Sequence, residues 1–278
     1  MRTWNFLHFL FFSIVQTGAN FSCEIIFRTF GDSHAHIPTI EALKNIPNHL
    51  KQYFRAYSYS TPAKLMFSIA RDGINITELL RKPQKVILRP WRKDIREQIK
   101  FNLTIPSVIW PYPDLSAPNI SEKDILYFIF GEIDARHKIG NVVQRGILPI
   151  ENLESSINDM VDRYIVRIKN AVEQIPAKTV WIGGLFPQPL FNERTHITGS
   201  WEQRQLCANL INQRLKMNSL KEGYLFMDFS KGYSNSEGDL DMTMTDGLHH
   251  LNLWTEKTKD EFAAKFVEHF ERVCGQIS

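Results

Sequence analysis

Apolar residues along this chain follow two rhythms. Short, nearly unbroken runs rich in β-branched and aromatic side chains occur at Glu24–Phe30 (EIIFRTF), Phe54–Ser58, Ile125–Phe130 (ILYFIF), Thr179–Gly183 (TVWIG) and Tyr224–Asp228 (YLFMD), each of strand length. Among them lie longer stretches with apolar residues three and four apart, clearest at Leu153–Ile175, Trp201–Leu215 and Thr255–Val273. In the first of these, Leu153, Ile157, Val161, Ile165, Ile168 and Val172 make one stripe, the kind a helix buries against a core. Continuous apolar strands have no polar face to offer water, so their sheet must be covered on both sides, and alternation with amphipathic helices makes it parallel. The pattern predicts an α/β protein: a three-layer α/β/α sandwich with a parallel sheet of about five strands.

No internal repeat, low-complexity tract or Gly/Ser linker divides the chain. The four prolines of Pro106–Pro118 (PSVIWPYPDLSAP) mark a loop or excursion before the third strand, because proline fits neither a helix interior nor a central ladder. At the N-terminus, Arg2 precedes an apolar run from Trp4 to Val15, followed by Thr17 and Ala19. The run is short for a bilayer span and suits a signal peptide with small residues before its cleavage point. Residues 1–19 are therefore read as a signal peptide and 20–278 as one domain, which implies export; an uncleaved cytoplasmic chain is the alternative. Sequons at Asn20, Asn75, Asn102 and Asn119 matter only in a eukaryotic secretory pathway.

Composition narrows the function. The chain has 278 residues, 43% of them hydrophobic, and 33 Lys+Arg against 30 Asp+Glu for a net charge of +3. That balance lacks the basic excess of a phosphate-tracking surface, so nucleic acid is not an expected partner. The basic cluster Lys82–Lys93, with Arg89 and Arg92, reads as a solvated face. Cys23, Cys207 and Cys274 are odd in number, without CxxC or zinc spacing; they are expected as buried thiols, with one bridge available if the chain is exported.

Chemistry gathers at two places. The first strand ends in Gly31-Asp32-Ser33-His34. Ligands of open parallel sheets bind beyond the carboxyl ends of the strands, so Ser33 falls where a nucleophile is useful, after a glycine that permits a tight turn. Just before the last helix stands Asp246-Gly247-Leu248-His249-His250. A serine hydroxyl needs a base to take its proton, and the base needs a carboxylate to hold its tautomer; an Asp three residues before a His supplies both.

A strand-ending GDS followed near the C-terminus by DxxH resembles the SGNH, or GDSL-like, hydrolases, from about Glu24 onward. The resemblance implies a flavodoxin-like SGNH-hydrolase fold with Ser33 as nucleophile, His249 as general base and Asp246 as its orienting partner. The family's third block, GxND, corresponds to Gly131-Glu132-Ile133-Asp134, where Ile133 replaces the Asn that donates to the oxyanion. The wider run Phe130-Gly131-Glu132-Ile133-Asp134-Ala135-Arg136 is similar to the FGEIDxR signature of one subgroup, which also carries a G-S/T-x-x-x-R helix start and an Asn before the next strand, matched by Gly199, Ser200, Arg204 and Asn212. The second block falls near Ser60–Met66, with Gly73 further along, and no glycine there aligns. Gly31, Asp32, Gly131 and Asp134 are expected to support the site and its oxyanion, with the Ser33 N–H as principal donor. Spacing selects His249 over its neighbour; relatives with the His one place later select His250.

Two other readings compete. His34 and His36 form an HxH after a strand, similar to the opening of the metal-dependent amidohydrolases, with Glu132 as a further ligand; an eight-stranded barrel needs eight strand signals, and about five are present. A non-catalytic sugar- or partner-binding module would explain the lost Asn, with Trp110 and Tyr112 as stacking surfaces. Glu132 and Arg136 are read as a structural pair, Asp134 as holding the Ser33 turn, and His137 as a satisfied polar residue. The reading adopted is a serine ester hydrolase acting on a small-molecule or carbohydrate ester, needing no cofactor or metal and holding no stable membrane span; the oligomeric state is not legible. N-terminal sequencing of the natively produced protein is expected to read from Asn20, and an intact Met1 start in a cytoplasmic fraction would count against export.

Overall fold

A computed structural model of the chain describes residues 23–31, 43–60, 65–80, 119–188, 198–228, 230–236, 240–241 and 256–275. The N-terminal run, the Pro106–Pro118 excursion and the Lys82–Lys93 cluster lie outside them. Five strands, β1 (Ile25–Gly31), β2 (Phe54–Ser60), β3 (Ile125–Ile129), β4 (Thr179–Gly183) and β5 (Leu225–Met227), form one sheet in the order β2-β1-β3-β4-β5. Every pairing is parallel. All seven residues of β1 and all five of β3 are buried, which is why their sequences run apolar without alternation.

Two helical layers cover the sheet. On one face Phe30, Leu126, Phe128, Val180 and Ile182 meet α2 (Met66–Asp72), α3 (Ile76–Leu80), the π-helical turn Asp134–Lys138 with its continuation α4 (Ile139–Gln144), α5 (Leu153–Val172) and α6 (Trp201–Lys221). On the other, Ile25, Phe27, Ile125, Tyr127, Ile129 and Trp181 meet α1 (Asn48–Lys51), α7 (Ser230–Tyr233) and α8 (Glu256–Cys274). The architecture is the three-layer α/β/α sandwich with a five-stranded parallel sheet, and its 2-1-3-4-5 order is the flavodoxin-like one. The stripe of α5 is buried at each of its predicted positions, Leu153 to Val172. Helix α6 runs six residues past its predicted end at Leu215. Its inward face continues through Ser219, while Met217 and Leu220 are 60% and 65% exposed, so the apolar period that marks its earlier turns fades.

One buried charge interrupts the apolar sheet. Arg28, in the middle of β1 and wholly buried, donates from Nε to Asp124 Oδ2 at 2.8 Å, from Nη1 to Tyr59 Oη at 3.0 Å and from Nη2 to the Asn119 carbonyl at 3.2 Å. Burial pushes the Tyr59 phenol up, so it meets the guanidinium as a neutral hydroxyl. Asp124 is held in turn by the Ser121 hydroxyl at 2.7 Å.

The cysteines correct the expectation of three thiols. Cys23 and Cys274 are disulfide-bonded with Cα atoms 5.8 Å apart across 251 residues of sequence, and only Cys207 is a free, buried thiol. Spacing could not reveal the pair, because what brings it together is the tertiary path of α8 along β1. In the chain-entropy picture a bridge closing so long a loop stabilises by roughly 5 kcal/mol.

Beside the bridge, His269 is buried; its Nε2 lies 2.7 Å from the Lys123 carbonyl and its Nδ1 2.8 Å from Arg272 Nη2. This arrangement needs a neutral ring that donates from Nε2 and accepts at Nδ1. Burial, reinforced by the Arg272 charge, holds its pKa below the usual histidine value against the opposing pull of the Lys123 carbonyl and Asp124. Between that depressed value and the unfolded value of about 6.5, the unfolded chain binds the extra proton. Stability from this group is therefore complete above about pH 6.5 and falls as the pH drops through the window below it. Urea unfolding at pH 7.5 and pH 5 is expected to show a larger acid loss for wild type than for His269→Gln; parallel profiles would remove His269 from the account.

Candidate functional site

Chain connectivity marks one place in the sheet. The chain moves from β1 outward to β2, and from β3 in the opposite direction to β4 and β5, so the connections diverge between β1 and β3 and leave a crevice at their carboxyl ends. Gly31 pairs with Ile129 at this point. Of the predicted site residues, Gly31, Gly131 and Asp134 are described, and all three are buried. Asp32, Ser33, His34, His36, Asp246, His249 and His250, as well as Trp110 and Tyr112, lie outside the described residues.

The crevice wall comes from the segment after β3. Gly131 has φ +113°, a conformation that favours glycine, and a Cβ there would press on the mobile ends of the Met66 and Leu185 side chains, 2.8 Å from Met66 Cε and 3.2 Å from Leu185 Cδ2. Asp134, 1% exposed, accepts from the Met66 N–H at 2.8 Å and the Phe67 N–H at 3.4 Å. These are first-turn donors of α2, which have no partner within the helix. Because β2 and β3 flank β1, the bond from Asp134 to α2 reaches across the carboxyl end of β1, two residues before Ser33. Asp134 was expected to hold the Ser33 turn, which lies outside the described residues; its described bonds hold the neighbouring helix start. Gly73 is no oxyanion residue: with φ +80° it ends α2, donating to the Ile69 carbonyl at 2.8 Å.

A second wall follows β4. Gly184–Gln188 is buried throughout although it is a loop, so its backbone groups need partners inside the protein. Asn212 on α6 supplies two, its Oδ1 accepting from the Leu185 N–H at 2.6 Å and its Nδ2 donating to the Leu185 carbonyl at 3.0 Å. Gln188 is held by Gln205 Oε1 on its N–H at 2.9 Å and by Trp201 Nε1–H on its carbonyl at 3.0 Å. Its side-chain amide donates to the buried Glu132 carboxylate at 3.2 and 3.3 Å. Glu132 was expected to pair with Arg136; its described carboxylate contacts are with Gln188, a residue that no sequence motif singles out.

The residues matched as a helix start serve the same scaffold. Ser200 caps α6 in a reciprocal capping box with Gln203. Arg204, 2% exposed, donates to the Gly199 carbonyl at 2.7 Å. The Thr198 N–H donates to the Arg136 carbonyl at 3.1 Å, and His137 Nδ1 lies 2.5 Å from Thr198 Oγ1. A Cβ on Gly140 would come within 2.5 Å of the Thr198 carbonyl. The Gly131–Arg136 block and the Gly199–Arg204 block, whose starts are 68 residues apart in sequence, are thus one stitched unit behind the crevice.

The other side of β1 carries α8. Phe27 packs on Phe266 and Phe262 with centroids 5.0 and 6.5 Å apart. Asn45, on the approach to α1, donates to Asp260 at 2.8 Å and Glu256 at 3.1 Å in the first turns of α8. The segment that follows Ser33 and the helix that follows His249 therefore meet. A cavity of about 440 Å³ also opens at edge strand β5, lined in part by Lys216, Asp228, Lys257 and Glu261; β5 lies three strands from β1, so this is not the crevice. No group of metal-ligating side chains gathers among the described residues, and no helix among them is long and apolar enough to cross a membrane.

No family model and no curated protein matches the chain. Among solved structures it is similar to a member of the lipolytic protein G-D-S-L family from Veillonella parvula DSM 2008, at 11% identity and TM-score 0.41 over 90% of this chain and 100% of that one. It is similar to the M. smegmatis aryl esterase at 12% identity and TM-score 0.41, covering 90% and 100%. It is also similar to a GDSL-like lipase from Bacteroides thetaiotaomicron VPI-5482 at 13% identity and TM-score 0.40, covering 90% and 88%. At these values the likenesses carry no argument about the site.

The wall makes its own prediction. Asp134→Ala leaves the buried Met66 N–H without its acceptor and is expected to cost about 1–3 kcal/mol in urea unfolding, with Asp134→Asn closer to wild type because one amide oxygen remains. Equal losses in the two variants would mean that Asp134 matters through its charge rather than as a cap.

Proposed function

We propose that the chain is a serine ester hydrolase whose site lies at the β1/β3 crevice. The observation that carries the reading is topological: the strand leading into Gly31-Asp32-Ser33 ends at the switch point of the sheet, beside the Gly131 turn, where such folds bind their ligands. The contact between Asn45 and the start of α8 joins positions 12 residues after Ser33 and seven after His249 in the sequence, which supports the reading.

In this mechanism Ser33 Oγ attacks the ester carbonyl while His249 takes its proton; Asp246 holds the imidazole tautomer and stabilises the cation that forms. The Ser33 N–H donates to the oxyanion. Collapse of the tetrahedral intermediate expels the alcohol, protonated by His249, and water then hydrolyses the acyl-enzyme by the same base. With Ile133 in place of an amide donor, the oxyanion is held by fewer groups, so a low turnover is expected; removing one such donor elsewhere costs about 10²–10³ in kcat. The proposed substrates are acyl or acetyl esters, O-acylated carbohydrate among them. The missing amide also motivates the second reading, a binding module that keeps the fold and has lost the chemistry.

Export is part of the proposal. The Cys23–Cys274 bridge supports it, since such bonds persist outside reducing compartments.

Fluorophosphonate labelling of the full-length protein is expected to depend on Ser33 and vanish in Ser33→Ala. Labelling and ester kcat/KM should rise with pH through the pKa of a neutral base, near 6.5 when unperturbed. His249→Ala should abolish most activity and His250→Ala far less; the reverse result would make His250 the base. Absence of Ser33-dependent labelling would move the weight to the binding module, and loss of ester hydrolysis with chelators alone to the His34/His36 metal reading.

A further inference from the structure

The structure assigns to the Cys23–Cys274 bridge a role beyond stability: it sets the axial register of α8 on the sheet, and so the relative position of the two chain ends that carry the proposed nucleophile and base. This rests on the hydrolase reading for its catalytic consequence, but not for its geometry.

Strand β1 and helix α8 run in opposite directions. The carboxyl-terminal turns of α8 lie at the amino ends of the strands, where Cys274 bonds Cys23, His269 meets the Lys123 carbonyl and Arg272 Nη2 donates to Thr179 Oγ1 at 3.1 Å. Its first turns lie at the other end, where they meet Asn45. Seven residues at strand rise make β1 about 23 Å long, and 19 residues make α8 about 28 Å long. A tether at one end of two rods of similar length therefore governs the separation of their other ends. Ser33 follows Gly31 by two residues, and α8 begins seven residues after His249.

The apolar contacts of α8 cannot set that register alone. Its buried aromatic residues are Phe262, Phe266 and Phe270, a repeat of four residues, packed on Phe27, Phe54 and Trp181. A slide of four residues, about 6 Å, would bring each phenylalanine to the place of the next, where offset or edge-to-face ring contacts of the same kind are again available. What distinguishes the native register is directional: the covalent bridge, and the hydrogen bonds of His269 and Arg272 beside it. The bonds of Asn45 at the far end are exposed and worth little by themselves. Cys207 does not confuse the picture, since burial pushes its thiol up to about 11 and leaves it inert toward exchange at neutral pH.

The test compares oxidised full-length protein with the same protein after mild reduction at low temperature, and with the Cys23→Ala/Cys274→Ala variant, each checked for retained fold by circular dichroism. Two readouts are used. Hydrogen exchange over the first turns of α8 is expected to quicken on reduction, and the rate constant of serine phosphonylation by the fluorophosphonate, with loss of fluoride, to fall on the order of ten- to hundredfold with little change in reagent affinity, as expected for misplacement by an ångström or so; reoxidation should restore both. A lower Tm with unchanged phosphonylation and unchanged exchange would reduce the bridge to a stabiliser and overturn the inference, as would native protein that titrates with three free thiols. If the double variant does not fold, the reversible reduction of wild type decides. If oxidised wild type shows no Ser33-dependent labelling, the hydrolase reading fails, and the register claim stands or falls on exchange alone.

Discussion

A charged side chain in the middle of a fully buried strand constrains everything around it. Stranding the Arg28 guanidinium without partners would cost several kcal/mol, comparable to the whole stability of a domain. Its three described acceptors come from Asp124 and Asn119 on the approach to β3 and from Tyr59 on β2, so both neighbours of β1 must be in place before the charge is satisfied. Apolar strands can pair in several registers with similar burial, but a one-residue slip would turn Arg28 to the opposite face, against Phe27's aromatic partners. The buried ion pair thus favours one alignment of β2, β1 and β3 more than it adds to net stability. That alignment is what puts Gly31 beside Ile129 and creates the crevice.

The crevice is then walled by polar contacts on backbone. Asp134 caps α2, Asn212 clamps Leu185, Trp201 and Gln205 hold Gln188, and Ser200 caps α6. Loops at the carboxyl ends of a parallel sheet leave helix starts and strand ends with unpaired groups, and burying them without partners would cost about 1–3 kcal/mol each. Every one of these side chains therefore has a structural role that would be needed whether or not the site is catalytic. That is why the Gly131–Arg136 and Gly199–Arg204 blocks, stitched through Thr198, speak for the scaffold, and why the chemistry must be argued from Ser33, Asp246 and His249 themselves.

Sheet and long helices were legible because burial on two faces leaves a continuous apolar run and burial on one leaves a 3.6-residue stripe. All five strands and α8 stand within a residue or two of the predicted positions, and α5 starts at its predicted residue and ends three short of the predicted Ile175. The short helices α1, α2, α3 and α4 were not legible: four to seven residues span too few turns to write a period. The disulfide and the Arg28 network join residues 251 and 96 apart, which no local pattern encodes. The contact of Gln188 with Glu132 escaped for a related reason: a buried amide reads in sequence like any loop glutamine, and only the enclosed path of the loop after β4 makes it a partner for a carboxylate. At the site itself, the GDS and DxxH motifs were legible as chemistry, whereas the support they receive was legible only as motif positions without contacts.

The two ends of the sheet are built on different principles. At the amino end a covalent bridge, a neutral buried histidine and the Arg28–Asp124 pair hold strands and last helix by directional bonds. At the carboxyl end the described contacts fasten loop backbone to helix starts along the β1/β3 crevice, where the proposed site lies. Catalytic loops must tolerate strain and some motion while the groups they carry stay within ångströms of one another. A fold can meet both demands if rigidity is concentrated away from the site and transmitted along elements that do not bend. A seven-residue strand buried on both faces and a 19-residue helix packed along it are such elements, so order imposed at the amino end of the sheet reaches the carboxyl end without a direct contact between them.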